Sequence, residues 1–275
     1  MTSRKAQAGL SIVELLVALV ISMLLMTGVV QVFLASKQTY ASNEAASRLQ
    51  ENGRFALEFI AQSARHAGYV EAANITLARL PSPIATAPDN PNDPDAYNCD
   101  QLCSRQGTDD DPNGSDSVAF SLQPRLLDGV RRDCLGNTNI GGSNIDNTDI
   151  IVNYYFIRDD GAGVIALACN SRNVSKNIEN VGGVLVEGID ALQVQYGIGT
   201  TGSVARYVSA DRVDNWNNVL AVRIAVLANS IVQVNPPPPA DRQYVLLDAE
   251  PLTFADGRAR QIFTTTIKLR NTGEP

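Results

Sequence analysis

The chain opens with nine polar and basic residues, MTSRKAQAG, and then turns abruptly apolar. From Leu10 to Leu34 it runs for 25 residues with one charged side chain, Glu14. At about 1.5 Å per residue such a run predicts a helix about 37 Å long, enough to cross a hydrocarbon core of about 30 Å. The helical period continues beyond it. No proline occurs between Ser36 and Gly68, and Ala45, Leu49, Ala56, Phe59, Ile60 and Ala64 recur at three- and four-residue steps, as one face of a helix requires. Arg48, Glu51, Arg54, Glu58 and Arg65 fall between the apolar positions. Gly53 weakens the pattern by up to about 1 kcal/mol relative to alanine, and Gly68 is a stop signal. The expectation is one helix over 10–67, apolar in its first half (10–34) and amphipathic in its second (35–68), with Phe55 and Phe59 as core contacts and His66 at the surface of the helix end.

After the helix the pattern changes twice. Residues 80–116 carry Pro81, Pro83, Pro88, Pro91, Pro94 and Pro112 among many Asp and Asn residues, which predicts loops. From Ser117 onward, runs rich in Val, Ile, Thr and Tyr predict strands at 117–123, 149–157, 163–169, 183–197, 219–234 and 259–271. Asp159-Asp160-Gly161 marks a hairpin turn between two of them, and the four prolines at 236–239 force a loop. No fixed-period repeat is present. The fold class read from this pattern is α+β, with a long N-terminal helix packed on an antiparallel β-sheet head that occupies 69–275.

Charge narrows the range of partners. The net charge is −7, and removal of residues 1–9 takes away Arg4 and Lys5 and makes the remainder more acidic still. Broad electrostatic binding to nucleic acid needs clustered Lys and Arg, so no nucleic acid partner is expected. Arg4 and Lys5 before the apolar run favour a cytoplasmic N-terminus and a head on the far side of the membrane.

Two ordinary readings of the N-terminus leave something unexplained. A secretory signal peptide has a shorter apolar stretch, followed by a small-residue cleavage site; here the small residue, Gly9, precedes the apolar run. A plain anchor accounts for the length but not for Glu14, since a carboxylate within a span is costly and calls for a partner. No Lys, Arg or His lies between residues 6 and 36. Cleavage after Gly9 would make Leu10 the new N-terminus and Glu14 the fifth residue, one helical turn away. In a filament of staggered helices, Glu14 could then meet the amino group of a neighbour.

The basic leader ending in Gly9, the hydrophobic Leu10 and Glu14 five places after the cut resemble the class III signal of type IV prepilins and type II secretion pseudopilins. The resemblance implies cleavage after Gly9 by a prepilin peptidase, N-methylation of Leu10 (where the family usually has Phe) and neutralisation of that terminus by Glu14 during assembly. The segments SRLQENGRFALEFIAQSARHAGY, DCLGN (133–137), LVEGIDALQVQYG (185–197) and TTTIKLRN (264–271) further resemble PilW-type minor pilins, relatives of the J-type pseudopilins. That resemblance implies a structural role in type IV pilus assembly, with other minor pilins and the major pilin as partners, inner-membrane lipid around the helix before assembly, a tip complex that primes the fibre, and a tip adhesin as a further possible partner. The protein would end at the cell surface in the fibre. A J-type pseudopilin of a secretion system stays open as an alternative.

Four cysteines, Cys99, Cys103, Cys134 and Cys169, all follow the apolar run, and none forms a CxxC pair. In an exported head they read as disulfides. Cys134 and Cys169 each adjoin a predicted strand and are expected to pair, leaving Cys99 and Cys103 as a small loop staple. Asp109, Asp111, Asn113 and Gly114 match the opening of a calcium loop, but Phe120 stands where a bidentate Glu belongs. An Asp/Asn/Gly turn before a strand is the reading adopted, with no metal and no cofactor. No GxSxG, HExxH or GxxxxGK[ST] motif occurs, and no enzymatic activity is expected. A facing pair of carboxylates is invisible to sequence, so a membrane-anchored exported enzyme remains the rival class.

Overall fold

The computed structural model describes residues 11–71, 82–86, 103–161, 163–200 and 202–271. It divides into two compact units, Met1–Glu44 and Ala45–Pro275. One helix, α1 (Ile12–His66), contributes to both.

In the first unit the α1 residues are exposed except for half-buried Ser42, and from Ile12 to Leu34 they are mostly apolar. Their mean hydropathy reaches 2.5 over an 18-residue window, and the helix is long and apolar enough to cross a membrane. The hydroxyls within this stretch bond back to their own helix: Ser22 Oγ donates to the Ala18 carbonyl at 2.8 Å and Thr27 Oγ1 to that of Met23 at 2.8 Å. In lipid, where no water is at hand, such internal bonds are required.

In the second unit α1 turns one stripe inward: Ala45, Leu49, Gly53, Ala56, Ile60, Ala61, Ser63 and Ala64 are buried. The burial begins at Ala45, ten residues later than the boundary expected at 35. Phe55 and Phe59 are not core contacts, with 50% and 36% of their surfaces exposed. Successive helical residues diverge by about 100°, so Phe59 points away from the stripe that carries Ile60, and Phe55 shares its side of the helix.

The strands follow in chain order: β1 (Val118–Leu122), β2 (Asn139–Ile140), β3 (Ser143–Asn144), β4 (Ile151–Asp159), β5 (Ile165–Asn173), β6 (Ile178–Glu179), β7 (Gly183–Glu187), β8 (Ile189–Ile198), β9 (Arg206–Val208), β10 (Val219–Gln233) and β11 (Arg258–Lys268). They form two main antiparallel sheets rather than one. The first has the order β1-β4-β5-β6, with β7 also paired to β5; the second has the order β11-β10-β8-β9; β2 and β3 make a separate ribbon. The run 183–197, which reads as a single strand, is divided between the two sheets. At Gly188 the backbone takes φ 73°, a left-handed conformation that glycine adopts freely. The chain leaves β7 there and starts β8 in the other sheet.

The main core lies between the α1 stripe and the inner faces of both sheets. Leu49, Ala56, Ile60 and Ala64 join Phe120, Tyr155, Leu167, Leu192, Tyr196, Val222 and Ile224. The outer face of the second sheet is covered as well, by Tyr244, Leu246, Leu252 and Phe254 packed on Ala191, Ala225, Leu227 and Ile262. β10 is therefore buried on both faces, which is why its sequence, VLAVRIAVLANSIVQ, is almost continuously apolar. Gly53 lies under the ring of Phe263 from β11; a Cβ on residue 53 would come within 2.3 Å of Phe263 Cδ2. Beyond β11, Asn271 Nδ2 donates to the Ala67 carbonyl at 3.0 Å, bringing together residues 204 apart in sequence.

Candidate functional site

The N-terminal site is built on the first turn of α1. Ser11 starts the helix, with Val13 N donating to its Oγ at 3.3 Å and Glu14 N to its carbonyl at 3.0 Å. Glu14 is the acidic residue of this turn and is exposed. Among the described residues its carboxylate has no hydrogen-bonding or ionic partner. A carboxylate at a helix N-terminus is favoured by the helix dipole, but in an apolar environment that alone leaves it short of a counter-charge. Gly9 and Leu10 lie outside the described residues. Further along, Lys37 Nζ sits 5.6 Å from the centroid of the Phe33 ring, a cation at the end of the apolar run.

In the head, Cys134 and Cys169 are joined by a disulfide across 35 positions of sequence. Cys103 is also disulfide-bonded; Cys99, its expected partner, lies outside the described residues. Cys134 belongs to the DCLGN loop, and sequence reasoning missed what organises that loop. Asp133, buried, accepts from Leu135 N at 2.9 Å and Asn137 N at 2.8 Å with one oxygen. Its other oxygen accepts from Ser171 Oγ at 2.6 Å, Asn180 Nδ2 at 3.1 Å and Asn137 Nδ2 at 3.1 Å. The carboxylate thereby fastens the loop to β5, beside the disulfide.

The segment 109–116 does different work from a calcium loop. Asp111 forms a bidentate pair with Arg105, at 2.5 and 2.6 Å, which holds its carboxyl down at about 2. Asn113 Nδ2 donates to the Asp190 carbonyl at 2.8 Å, and the Gly114 carbonyl accepts from Gln193 Nε2 at 2.8 Å. Ser115 Oγ accepts from Leu192 N at 3.3 Å, and Asp116 accepts from Val194 N at 2.8 Å. These residues run along β8 beyond the end of β9 and cap its free main-chain groups. Asp116 is buried and also accepts from Gly107 N at 2.7 Å; burial pushes its carboxyl up to about 7 against the pull of those two amides. No cluster of three or more His, Cys, Asp or Glu that could hold a metal ion occurs among the described residues.

Two further polar centres escaped sequence reasoning. Ser63 of α1 meets Tyr155 of β4, with 2.7 Å between the hydroxyl oxygens, and Asn153 Nδ2 donates to Ser63 Oγ at 3.2 Å. Tyr155 also reaches the Phe59 carbonyl at 3.2 Å. This is the polar contact between helix and first sheet inside an otherwise apolar core. In the second sheet, buried Arg260 pairs with Asp190 at 2.7 Å and bidentately with Asp256 at 2.6 Å, beneath the ring of Phe254 at 3.7 Å. Arg260 holds Asp256 at about 2, while burial raises Asp190. His66 is half-buried at the end of α1, its ring between the Gln62 carbonyl at 2.9 Å and Arg125 Nη1 at 3.2 Å.

Comparison with known proteins divides along the same lines. The prokaryotic N-terminal methylation motif matches residues 4–30. The family model described as Type IV Pilus-assembly protein W matches residues 154–271, from β4 through β11. Among solved structures, a type IV-like pilin from Thermus thermophilus aligns at 15% identity and a TM-score of 0.44, over 82% of this chain and 99% of its own. No curated protein matches the chain. The methylation motif on a long apolar helix marks a membrane-anchored pilin, a structural subunit that works by assembling with other pilus components. The methylation motif at one end and the pilus-assembly region in the head together support a type IV pilus minor pilin of the PilW type.

Proposed function

We propose that this minor pilin takes part in pilus assembly by joining other minor pilins, and then the major pilin, in a complex at the fibre tip that primes polymerisation. The observation that carries the proposal is Glu14, an exposed carboxylate without a partner among the described residues, on the first turn of a helix otherwise uncharged to Leu34. Prepilin peptidase cuts after Gly9 and Leu10 is methylated. The apolar stretch waits in the inner membrane, N-terminus cytoplasmic and head periplasmic. Glu14 of one subunit then captures the terminal amine of another as their helices come together. A charge pair formed out of water is strong because both members would otherwise be stranded in hydrocarbon. The role is structural rather than catalytic, and a tip adhesin is a further partner for the head. The division of labour follows the chain: leader 1–9, membrane and fibre-core helix 10–34, amphipathic helix 35–68, head 69–275.

The test combines N-terminal sequencing of the membrane protein with fractionation of sheared fibres. The mature chain is expected to start at Leu10 only when the peptidase is present. Glu14→Ala is expected to leave a folded, disulfide-bonded head in the membrane and to remove the protein from the fibre. Wild-type recovery of Glu14→Ala in the fibre sinks the capture mechanism. Co-purification with a secretion pseudopilus instead of pili would reassign the protein to the J-type alternative.

A further inference from the structure

Among the described residues, every sheet edge in the head is covered, short or capped, with one exception. The outer edge of β1 is occupied by the segment around Ile84, with Ala85 N donating to the Ala119 carbonyl and Ser121 N to that of Pro83. β6 and β9 have two and three residues. β7 has five, and Asn52 Nδ2 of α1 caps its Glu187 carbonyl at 3.0 Å. β8 beyond β9 is closed by residues 113–116. β11 is different. It is 11 residues long, contains no proline, and from Gln261 to Ile267 carries no charge. Its pairing with β10 runs without a shift from Lys268 to Arg260. Long, regular, uncharged edges are what soluble proteins avoid, because they template pairing with another chain.

The direction of the free groups follows from the ladder. Ala259 N and Leu269 N both point toward β10, donating to Ser230 Oγ and to the Leu220 carbonyl. Main-chain groups alternate sides along a strand, so Ile262, Thr264, Thr266 and Lys268 turn their N–H and C=O groups outward. No hydrogen bond reaches these groups from that side among the described residues. Lys268 and Arg270, both exposed, close this edge without an acidic partner among the described residues.

We propose that the outer edge of β11 is a docking strand for an extended segment of a different pilin subunit, which adds to the second sheet and places carboxylates beside Lys268 and Arg270. A second copy of this chain is the wrong occupant for its own edge. Residues 258–271 contain no Asp or Glu, so two such strands side by side bring cations together and nothing to neutralise them. Main-chain pairing supplies affinity and the alternating side chains supply choice of partner. The proposal rests on the pilin reading above and adds to it a contact made by the head.

Thr264→Pro tests it in the full-length protein. Thr264 turns its N–H outward, so proline there removes a docking donor and spares the β10 ladder. The variant is expected to keep the Cys134–Cys169 bridge and a melting temperature near that of the wild type, and to lose its adduct with a neighbouring subunit. That adduct is read in the fibre by replacing Gln261 with a photoreactive phenylalanine analogue. Because proline could still disturb the head, amide exchange of the wild type is the second measurement. Residues 262, 264, 266 and 268 are expected to exchange freely in the isolated protein and to be protected in the assembled complex. An adduct with a second copy of this chain, or unprotected amides in fibre-borne protein, overturns the docking strand and leaves the pilin reading intact. Absence of the wild-type protein from the fibre overturns both.

Discussion

Phe263 of β11 occupies the space into which any side chain at Gly53 of α1 would extend, the added Cβ lying 2.3 Å from Cδ2 and 2.4 Å from Cε2. A glycine that costs a helix about 1 kcal/mol in isolation is here the position over which a ring of the second sheet lies. Gly53→Ala is therefore expected to destabilise the head by about 1–3 kcal/mol, as overpacking does, although it raises helix propensity. Phe263→Leu in the same chain should recover part of the loss. Thermal unfolding of the single and double variants decides; a more stable Gly53→Ala protein would show that the ring simply moves aside.

The contact of α1 with the first sheet is polar where the other is steric. Ser63→Ala leaves the Tyr155 hydroxyl and the Asn153 amide short of a buried partner, an expected loss of about 1–3 kcal/mol. Tyr155→Phe removes the other member. The two substitutions together should cost less than the sum of the singles, because they share one bond. Strict additivity in denaturant melts would mean the pair contributes nothing as a unit.

Around Cys134 two fastenings act on one loop. Opening the Cys134–Cys169 bridge by a double serine substitution is expected to cost about 2–4 kcal/mol through the freer unfolded chain. Asp133→Ala should cost a comparable amount through the native state, since it strands donors from Leu135, Asn137, Ser171 and Asn180. The two are distinguishable: reducing agent should lower the stability of Asp133→Ala by more than that of the double serine variant, which keeps only the Cys103 disulfide.

Asp116 sets a pH dependence opposite to that of Asp111 and Asp256. Its folded carboxyl is raised by burial to about 7, above the unfolded value of about 3.9. Between those values the folded state holds a proton that the unfolded state has lost, so stability is greatest at the acidic end and falls as pH rises toward 7. The loss is on the order of 2–4 kcal/mol when integrated over that window. Asp111 and Asp256, held near 2 by Arg105 and Arg260, add stability above pH 4 that disappears as pH falls toward 2. Asp116→Asn should flatten the decline between pH 4 and 7, sparing the share that belongs to Asp190, which burial also raises, and leave the acid limb in place. Melting curves from pH 3 to 8 give the answer; an unchanged slope in the variant removes Asp116 as its source.

What could be read from sequence was whatever burial writes locally. The helix was legible because its apolar run and its later stripe both persist for many turns, and β10 because it is buried on both faces. Phe55 and Phe59 misled because size and spacing alone do not fix which side of a helix meets the core; the stripe is set by Ala45, Leu49, Gly53, Ala56 and Ile60, mostly small residues. The division at Gly188 was hidden because the apolar alternation carries on across it while the backbone turns into another sheet. The role of 109–116 was beyond reach for a different reason: its bonds go to β8, 77 to 79 positions away, and no local pattern records a main-chain edge that needs closing. Glu14 was the reverse case, an oddity visible in one dimension because its surroundings are so uniform.

The closure of α1 by β11 and Asn271 also fixes a timetable. The helix is synthesised first, yet the ring that covers Gly53 and the amide that caps Ala67 arrive roughly two hundred residues later. At about 5–20 residues per second Gly53 and the Ala67 carbonyl wait on the order of ten seconds or more for these partners during each round of translation. Contacts so distant in sequence also form slowly once available. A chain interrupted between β10 and β11 leaves Gly53 uncovered and one edge of β10 unpaired, which makes such fragments natural substrates for holding chaperones and proteases.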